Sequence, residues 1–182
     1  DAETTGSENS DAAGYIIVSG DDTATHHTTF EAARNAARAV DGVVTYTVYG
    51  KVTVGDASYQ EEQWIEVLNN SVTDATTVKF VGMDTDAEIA LVGPYALLAD
   101  QSHDIDVELT DLKLSHIGGA YKSGNGTVGH ATNYFSCFLR NTDQSENTVT
   151  YTNCEFPNGA CNNQFGKTVY DSCKFTNTSN DT

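Results

Sequence analysis

The chain has 182 residues, and its 26 acidic residues against 9 lysines and arginines give it a formal charge of −17. Such a charge argues against nucleic acid as a partner, and against anionic membranes or free polyuronates unless a divalent cation bridges them, because like charges repel. No apolar run of about 18 residues or more is present, so the sequence contains no candidate transmembrane helix. The length corresponds to one domain.

The N-terminal segment, residues 1–13, is rich in Asp, Glu, Ser and Thr and contains no apolar residue larger than Ala. Such a composition cannot bury enough apolar surface to fold, so we expect a disordered tail before a single domain over residues 14–182. The acidic, Lys-poor chain is typical of a mature secreted or cell-surface product. The polar end after Phe175 has no obvious capping element, which indicates a fragment of a longer protein.

The first predicted element is an amphipathic helix over residues 28–40. Its apolar residues recur at helical spacing and form one narrow stripe: Phe30, Ala33, Ala37 and Val40. A threonine precedes it as a cap, and Gly42 ends it. Residues 43–54, rich in Val, Thr and Tyr, predict strands. We expect the helix to cover the apolar end of the strands that follow, as a lid.

The C-terminal part contains a repeated pattern. Residues 149–156 and 168–175 match at an offset of 19, and residues 107–114 and 134–139 carry less regular copies. Alternation with period two predicts strands with one buried face, and the repetition predicts that the copies stack in register. Val78 begins an earlier copy. The inward structural positions are expected to be Leu112, Cys137, Cys154, Phe156, Cys173 and Phe175.

Each copy is interrupted by two polar residues, which shift the alternation. One residue must therefore turn a corner so that both halves face inward, and this position holds Asp111, Ser136, Asn153 and Ser172. Such residues bond their own backbone and tolerate bends, and Asn and Asp also tolerate the left-handed region. A strand, a polar corner and a second strand are thus predicted in each copy.

The helix, the Val/Thr/Tyr strands and the repeats of the Tyr-Thr-Asn-Cys-Glu-Phe kind resemble pectate-lyase-like proteins, over roughly residues 28–178. More narrowly, they resemble the β-helix domains of large bacterial surface proteins. The resemblance implies an all-β fold, a right-handed parallel β-helix (solenoid) with an N-terminal amphipathic capping helix. It implies no particular activity, because one fold hosts many functions.

Three of the four cysteines share one inward position on successive copies: Cys137, Cys154 and Cys173. In-register side chains point in parallel, which favours free, stacked thiols over a disulfide. Cys161 lies in a loop, where both a disulfide and a free thiol stay open. A zinc site is not expected, because neither C-x-x-C nor Cys/His spacing is present.

Two triplets of alternating carboxylates lie 20 residues apart: Asp84, Asp86, Glu88 and Asp104, Asp106, Glu108. Stacked on adjacent strands they would suit Ca²⁺, which takes oxygen ligands, and the second triplet is the candidate metal site. Matching Val107 to Val78 separates the triplets and leaves residues 84–88 on a corner. That alignment favours two solvated outer faces.

Aromatic side chains in or near loops are a second kind of candidate. Trp64, Tyr95 and Tyr121 lie in segments that also hold Glu, Asn, Gln and Gly, and an exposed ring beside amides is typical of a sugar-binding surface. The competing interpretation is that Trp64 packs its loop onto the domain.

The search for catalytic residues gives none, because no motif of the β-helix enzymes is present. Arg140, the only arginine on a repeat, is a weak candidate for a lyase base, and a surface role is favoured. We expect a non-catalytic extracellular recognition or adhesion module of a bacterial surface protein, binding a host or environmental glycan or protein. The alternatives are a fragment of a pectate-lyase-like polysaccharide lyase and a purely structural stalk. Weak self-association through the C-terminal copy is also expected, because no lid covers that end.

Overall fold

A computed structural model of the protein describes residues 13–56, 58, 63–93, 95–99, 105–117, 120–122, 128–130, 139–140, 147–157 and 167–176. These residues form one short helix, α1 (Phe30–Ala36), and sixteen strands. The strands are β1 (Tyr15–Val18), β2 (Val43–Tyr49), β3 (Lys51–Gly55), β4 (Gln63–Glu66), β5 (Thr77–Gly82), β6 (Glu88–Val92), β7 (Tyr95–Leu98), β8 (Asp106–Thr110), β9 (Lys113–Ile117), β10 (Ala120–Lys122), β11 (Val128–His130), β12 (Leu139–Arg140), β13 (Thr148–Thr152), β14 (Glu155–Phe156), β15 (Lys167–Asp171) and β16 (Lys174–Phe175).

The strands are arranged in four sheets. The large sheet has the order β1-β2-β5-β8-β13-β15, and the second sheet has the order β3-β6-β9-β14-β16. A three-stranded sheet, β12-β7-β4, and the pair β10-β11 complete the set. Strands of the large sheet pair in parallel from β2 onward, whereas β1 joins β2 antiparallel and β10 joins β11 antiparallel. The chain passes from the large sheet to the second sheet five times, for example from β8 to β9.

The fold class expected from the sequence, an all-β right-handed parallel β-helix closed by an N-terminal amphipathic helix, is contradicted. The structure is mostly β with mixed sheets and one short helix among the described residues, not a uniform parallel solenoid. The physical reason lies in what the repeat specifies. Matched copies determine which strands pair in parallel, but β1 and the β10–β11 pair have no counterpart in the repeat, and they pair antiparallel.

The helix is shorter than the predicted range of 28–40. Thr29 caps it, with its side-chain oxygen accepting a hydrogen bond from a first-turn N–H. The helix ends at Ala36, because the backbone turns to an extended conformation at Ala37 (ψ 138°), and the N–H of Arg38 then donates to the carbonyl of Ser19 at 3.0 Å. As a result Val40, the last residue of the expected apolar stripe, is 53% exposed.

A buried aromatic cluster joins the helix to the large sheet. The ring of Phe30 lies 5.3 Å from that of Tyr46 and 5.9 Å from that of Phe80, and all three side chains are buried. The hydroxyl of Tyr46 donates to the carbonyl of Val67 at 2.7 Å, which satisfies its polar atom inside the core. One row of inward residues continues this cluster across the sheet in register: Tyr46, Phe80, Leu109, Tyr151 and Tyr170.

The register expected for the C-terminal repeat is confirmed. Tyr151 pairs with Tyr170 on β13 and β15, and Phe156 pairs with Phe175 on β14 and β16. Side chains become more exposed toward the last strands: Phe156 is 2% exposed, whereas Phe175 is 47% exposed. The outermost described strands of both sheets therefore present apolar rings to the surface.

Candidate functional site

The most distinctive surface of the described residues is the corner at which the chain leaves the large sheet for the second sheet. Asp111, Asn153 and Ser172 occupy this corner with left-handed φ values of 55°, 51° and 56°. This confirms the corner position for three of the four residues that the sequence predicts, while Ser136 lies outside the described residues. Such a conformation is unfavourable for most side chains, and Asn and Asp tolerate it best after Gly.

Hydrogen bonds connect the corner from one strand to the next. The side-chain amide of Asn153 donates to the Asp111 carboxylate at 2.6 Å, and the backbone N–H of Asp111 donates to the carbonyl of Thr152 at 3.1 Å. The N–H of Asn153 donates in turn to the carbonyl of Asp171 at 2.8 Å. The corner is therefore a rigid row of polar side chains at the spacing of neighbouring strands, about 4.8 Å.

One of the connections from the large sheet to the second sheet is longer than the others. Residues 83–87 join β5 to β6, whereas two residues join β8 to β9 and one glycine, Gly50, joins β2 to β3. Asp84 anchors this loop, because its carboxylate accepts hydrogen bonds from the backbone N–H groups of Gly50 and Asp86, each at 3.0 Å. The extra residues form a wall that rises beside the corner.

Gly82 lets this wall approach the next corner. A Cβ atom at Gly82 would overlap the backbone oxygen of Asp111 and crowd the side chain of Ala87. A residue without a side chain is therefore required for the close approach between the end of β5 and the corner that follows β8.

Between the wall and the corner lies an open cavity of about 510 Å³, which we call the corner groove. Its lining combines acidic, amide, cationic and small apolar side chains: Gly82, Met83, Asp84, Thr85, Ala87, Asp111, Leu112, Lys113, Asn153 and Glu155. Met83 is 54% exposed and gives the groove an apolar contact at its rim.

A row of alternating charges crosses the second sheet, and two of its members, Lys113 and Glu155, line the groove. We call it the charge ladder; in register it consists of Lys51, Glu88, Lys113, Glu155 and Lys174. The ammonium groups of Lys51 and Lys113 each lie 3.2 Å from the carboxylate of Glu88. Alternation of sign on adjacent strands is favourable, because directly opposed unlike charges attract.

Glu88 is the least exposed member of the charge ladder, at 7%. Burial raises the pKa of Glu88, but the hydrogen bond from the Ser115 hydroxyl and the contacts with Lys51 and Lys113 outweigh burial and hold the pKa below its ordinary value. The carboxylate is thus charged and fully engaged at neutral pH, and it fixes the position of Lys113 at the groove.

Two of the three predicted metal ligands, Asp106 and Glu108, lie on β8 and are engaged by neighbouring groups. Asp106 accepts a hydrogen bond from the N–H of Thr148 at 2.7 Å, and Glu108 pairs with Lys79 at 2.9 Å, while Asp104 lies outside the described residues. The two carboxylate triplets do not stack, because Glu88 is on the second sheet and Glu108 on the large sheet. Within the described ranges no group of three or more His, Cys, Asp or Glu side chains is arranged to hold a metal ion.

The aromatic candidates lie in strands rather than loops. Trp64 is in β4, Tyr95 in β7 and Tyr121 in β10. Tyr95 pairs with Gln63 rather than with Trp64, so the two aromatics do not share a register position. Their side chains lie outside the described part of the structure, as does that of Arg140 in β12.

Two of the predicted inward cysteines are described, and both are free thiols. Cys154 is buried and Cys173 half-buried, and each Sγ donates to a backbone carbonyl, that of Leu109 and that of Tyr151 respectively, at 3.4 Å. Burial raises the pKa of Cys154 to about 12. Leu112, on the preceding copy, is also buried. Cys137 and Cys161 lie outside the described residues.

Sequence reasoning places residues 84–88 on a corner but does not identify the corner groove. A detectable signal exists, because the β5–β6 passage holds several more residues than the matching passages at Asp111 and Asn153. An insertion at one position of a repeat maps to a loop on one face, and such loops often form binding sites.

No family model, no curated protein and no solved structure matches the chain. Within the described residues no helix is both long and apolar enough to cross a membrane.

Proposed function

We propose that the chain is a non-catalytic recognition module that binds a neutral carbohydrate in the corner groove. One observation carries the proposal. The groove is an open cavity of about 510 Å³ in which carboxylate oxygens, a side-chain amide and an ammonium group are held on paired strands and on the corners that join them. Ligand sites of this size use a few well-positioned polar groups to orient what they bind.

The polar groups of the groove suit hydroxyl groups. Asp111 and Glu155 accept hydrogen bonds, Lys113 donates them, and the amide of Asn153 does both. A sugar hydroxyl also donates and accepts, so adjacent hydroxyls on one ring match neighbouring acceptors and donors. The spacing of the strands repeats these groups along the corner, which suits a chain of sugar units better than a single small molecule.

Charge selects for neutral carbohydrates. The formal charge of the chain is −17, and the groove adds Asp84, Asp111 and Glu155 against Lys113. A polyuronate or a sulfated glycan would be repelled on approach, and in the groove its anionic groups would meet three carboxylates for one ammonium group. An uncharged polysaccharide pays neither cost.

The state of the groove side chains favours recognition over proton transfer. A glycosidase needs two facing carboxyl groups, one of them with a pKa raised by an apolar pocket. Here Asp111 is exposed and accepts a hydrogen bond from Asn153, Glu155 accepts one from Lys174 at 3.2 Å, and Asp84 holds the loop. Groups engaged in this way present fixed hydrogen-bonding atoms to a ligand.

We infer further that the module acts outside the cell, as an adhesion or recognition part of a bacterial surface protein. The acidic and Lys-poor composition supports this location. A rigid groove on a sheet framework suits repeated, weak contacts with a polymer on a host or environmental surface, where several modules together give avidity.

The test is a glycan array that carries neutral and anionic polysaccharides, followed by calorimetric titration of the strongest neutral ligand. Asp111→Asn and Glu155→Gln are expected to weaken binding by about tenfold, because each removes a charged acceptor without changing shape. The matched controls are Asp41→Asn, which also has a left-handed φ, and Glu108→Gln, which also pairs with a lysine. The proposal fails if no neutral glycan binds, or if the controls lose as much affinity as the groove variants.

A further inference from the structure

We propose that Cys154 and Cys173 together form a binding site for a soft metal ion that takes two thiolate ligands in a straight line. Both cysteines are free thiols, and each directly follows a left-handed corner residue, Asn153 and Ser172 respectively. The site lies apart from the corner groove and does not depend on the proposed recognition function.

The two sulfur atoms occupy equivalent positions on neighbouring copies of the repeat. Each Sγ lies 3.4 Å from a backbone carbonyl oxygen of the preceding copy, that of Leu109 for Cys154 and that of Tyr151 for Cys173. Each also lies 3.5 Å from the carbonyl oxygen of the residue two positions before it. Leu109 and Tyr151 pair in register on β8 and β13. The two sulfurs are therefore related by one strand spacing, about 4.8 Å.

This separation suits one metal ion placed between the two sulfurs. A metal–thiolate bond is about 2.3 Å long, so two such bonds in line span about 4.6 Å. In-register side chains point in parallel, roughly at right angles to the line that joins neighbouring strands. The metal–sulfur–carbon angle is then close to a right angle, as a bound thiolate requires. A disulfide bond is only about 2.05 Å long and fits this separation much less well.

The number and the type of the ligands determine which ions fit. Thiolate is a soft ligand, and it selects soft ions such as Cu(I). Zinc takes four ligands and calcium about six to eight oxygen atoms. Within the described ranges no group of three or more His, Cys, Asp or Glu side chains could supply such a set. Two thiolates alone satisfy the closed-shell ions that favour linear coordination, which are Cu(I), Ag(I) and Hg(II).

The surroundings of the thiols favour an uncharged complex. Cys154 is 1% exposed and belongs to the core, and Cys173 is half-buried and packs against that core. A net charge is costly to bury in such a place. Two thiolates neutralise Hg(II), whereas they leave a complex with Cu(I) or Ag(I) negatively charged. Hg(II) is therefore the ion of this class that fits best, and the exposed side of Cys173 is where it enters.

Binding releases two protons and changes no oxidation state. Each S–H bond is replaced by a metal–sulfur bond, so two thiols and one Hg(II) ion give a neutral bis-thiolate and two protons. Burial raises the pKa of Cys154 to about 12, so loss of its proton opposes binding. The affinity is therefore expected to rise with pH, as it does wherever a metal ion displaces protons from its ligands.

Titration of the full chain with Hg(II), in the presence of glutathione as a competing thiol, tests the site. The pair is expected to retain one ion, with two sulfur neighbours at about 2.3 Å in X-ray absorption. Cys154→Ala and Cys173→Ala are each expected to lower the affinity at least about 100-fold, because two ligands on one scaffold act at high effective concentration. Cys137→Ala and Cys161→Ala are the matched controls. Equal losses in all four variants, or an ion without two sulfur neighbours, would overturn the proposal.

The register of the copies provides a second test. Leu112 occupies the same inward position one copy before Cys154. Leu112→Cys is therefore expected to restore tight binding to the Cys173→Ala chain, whereas Leu114→Cys, displaced by two residues along the copy, is not. Thermal melts of each variant establish that the fold is retained. Failure of this restoration in a folded chain would refute the geometry, and so would a disulfide between Cys154 and Cys173 in the protein as isolated.

Discussion

The side-chain amide of Asn153 donates a hydrogen bond to the carboxylate of Asp111 over 2.6 Å, and both residues hold left-handed backbone conformations. The contact joins two successive corners of the same edge and fixes one wall of the corner groove. A left-handed conformation costs most residues about 1–2 kcal/mol, and Asn and Asp reduce this cost through local hydrogen bonds. The same two residues therefore allow the left-handed turn of the backbone and supply polar side chains to the corner groove.

Substitutions at Asn153 separate these two contributions. Asn153→Ala is expected to destabilise the fold by about 1–2 kcal/mol, whereas Asn153→Gly is expected to be about 1 kcal/mol milder, because glycine adopts a positive φ without strain. Urea unfolding measures the difference. At Thr150, in the extended strand β13, the order of Ala and Gly should be reversed. If Gly were no better than Ala at Asn153, the left-handed conformation would not be the source of the cost.

The corner and the strand register were predictable because both depend on residue types that recur. Tyr151 and Tyr170 share one position in matched copies, and polar residues at Asp111, Asn153 and Ser172 mark the bend. These are local properties, since each copy carries its own alternation and its own bend, so one sequence suffices to identify them.

The fold class and the groove depend on contacts that the repeat does not encode. The strand β1 lies outside the repeat, and its antiparallel direction follows from how the chain returns through α1. The groove depends on the approach of Gly82 to the backbone of Asp111, a contact between residues almost thirty positions apart. A single glycine at the end of a strand indicates many kinds of turn, and its partner is visible only in three dimensions.

Glu88 makes stability depend on pH in a defined direction. Burial raises its pKa, while Ser115, Lys51 and Lys113 lower it by more, so the folded-state pKa is below that of the unfolded chain. A carboxylate of this kind stabilises the fold above the unfolded pKa, near 4.3, and the stabilisation is lost as the pH falls through the folded-state value.

Replacement of Glu88 by Gln is therefore expected to lower the free energy of unfolding by roughly 1–2 kcal/mol at pH 7 and to have little effect near pH 3. Urea unfolding at the two pH values measures this difference. Glu108→Gln is the control, because Glu108 pairs with Lys79 in an exposed position, where such pairs contribute at most about 1 kcal/mol. An equal loss for Glu88→Gln at both pH values would contradict a charge-dependent role.

Phe156 and Phe175 allow a matched test of the core. Their rings stack 5.0 Å apart at 6°, in the same register position on adjacent strands, yet Phe156 is 2% and Phe175 is 47% exposed. Phe156→Ala is expected to cost about 3–5 kcal/mol, because it leaves a cavity between neighbouring strands. Phe175→Ala should cost less than half as much. Equal losses in urea unfolding would show that the last strand is buried as deeply as the one before it.

Calcium is expected to have only a small effect on stability. The carboxylate of Asp106 accepts a hydrogen bond from the N–H of Thr148, and that of Glu108 pairs with Lys79. Neither carboxylate therefore needs a bound metal ion to offset repulsion between them. The melting temperature should rise slightly with calcium, and sodium chloride of equal ionic strength should mimic the rise. A large, saturable stabilisation at micromolar calcium, lost in the double variant Asp104→Asn/Asp106→Asn, would instead establish a calcium site.

The two described thiols should differ sharply in reactivity. Cys154 is buried, and burial raises its pKa to about 12, so at pH 8 almost none of it is the reactive thiolate. Cys173 is half-buried and directly precedes β16, the outermost described strand of the second sheet. Iodoacetamide at pH 8, read by peptide mass spectrometry, should therefore modify Cys173 at least about tenfold faster than Cys154. In denaturing urea the two rates should converge, because the burial that protects Cys154 and raises its pKa disappears. Equal rates in the folded protein would mean that β14 and β16 separate readily, so that Cys154 is protected only while the last strand remains paired.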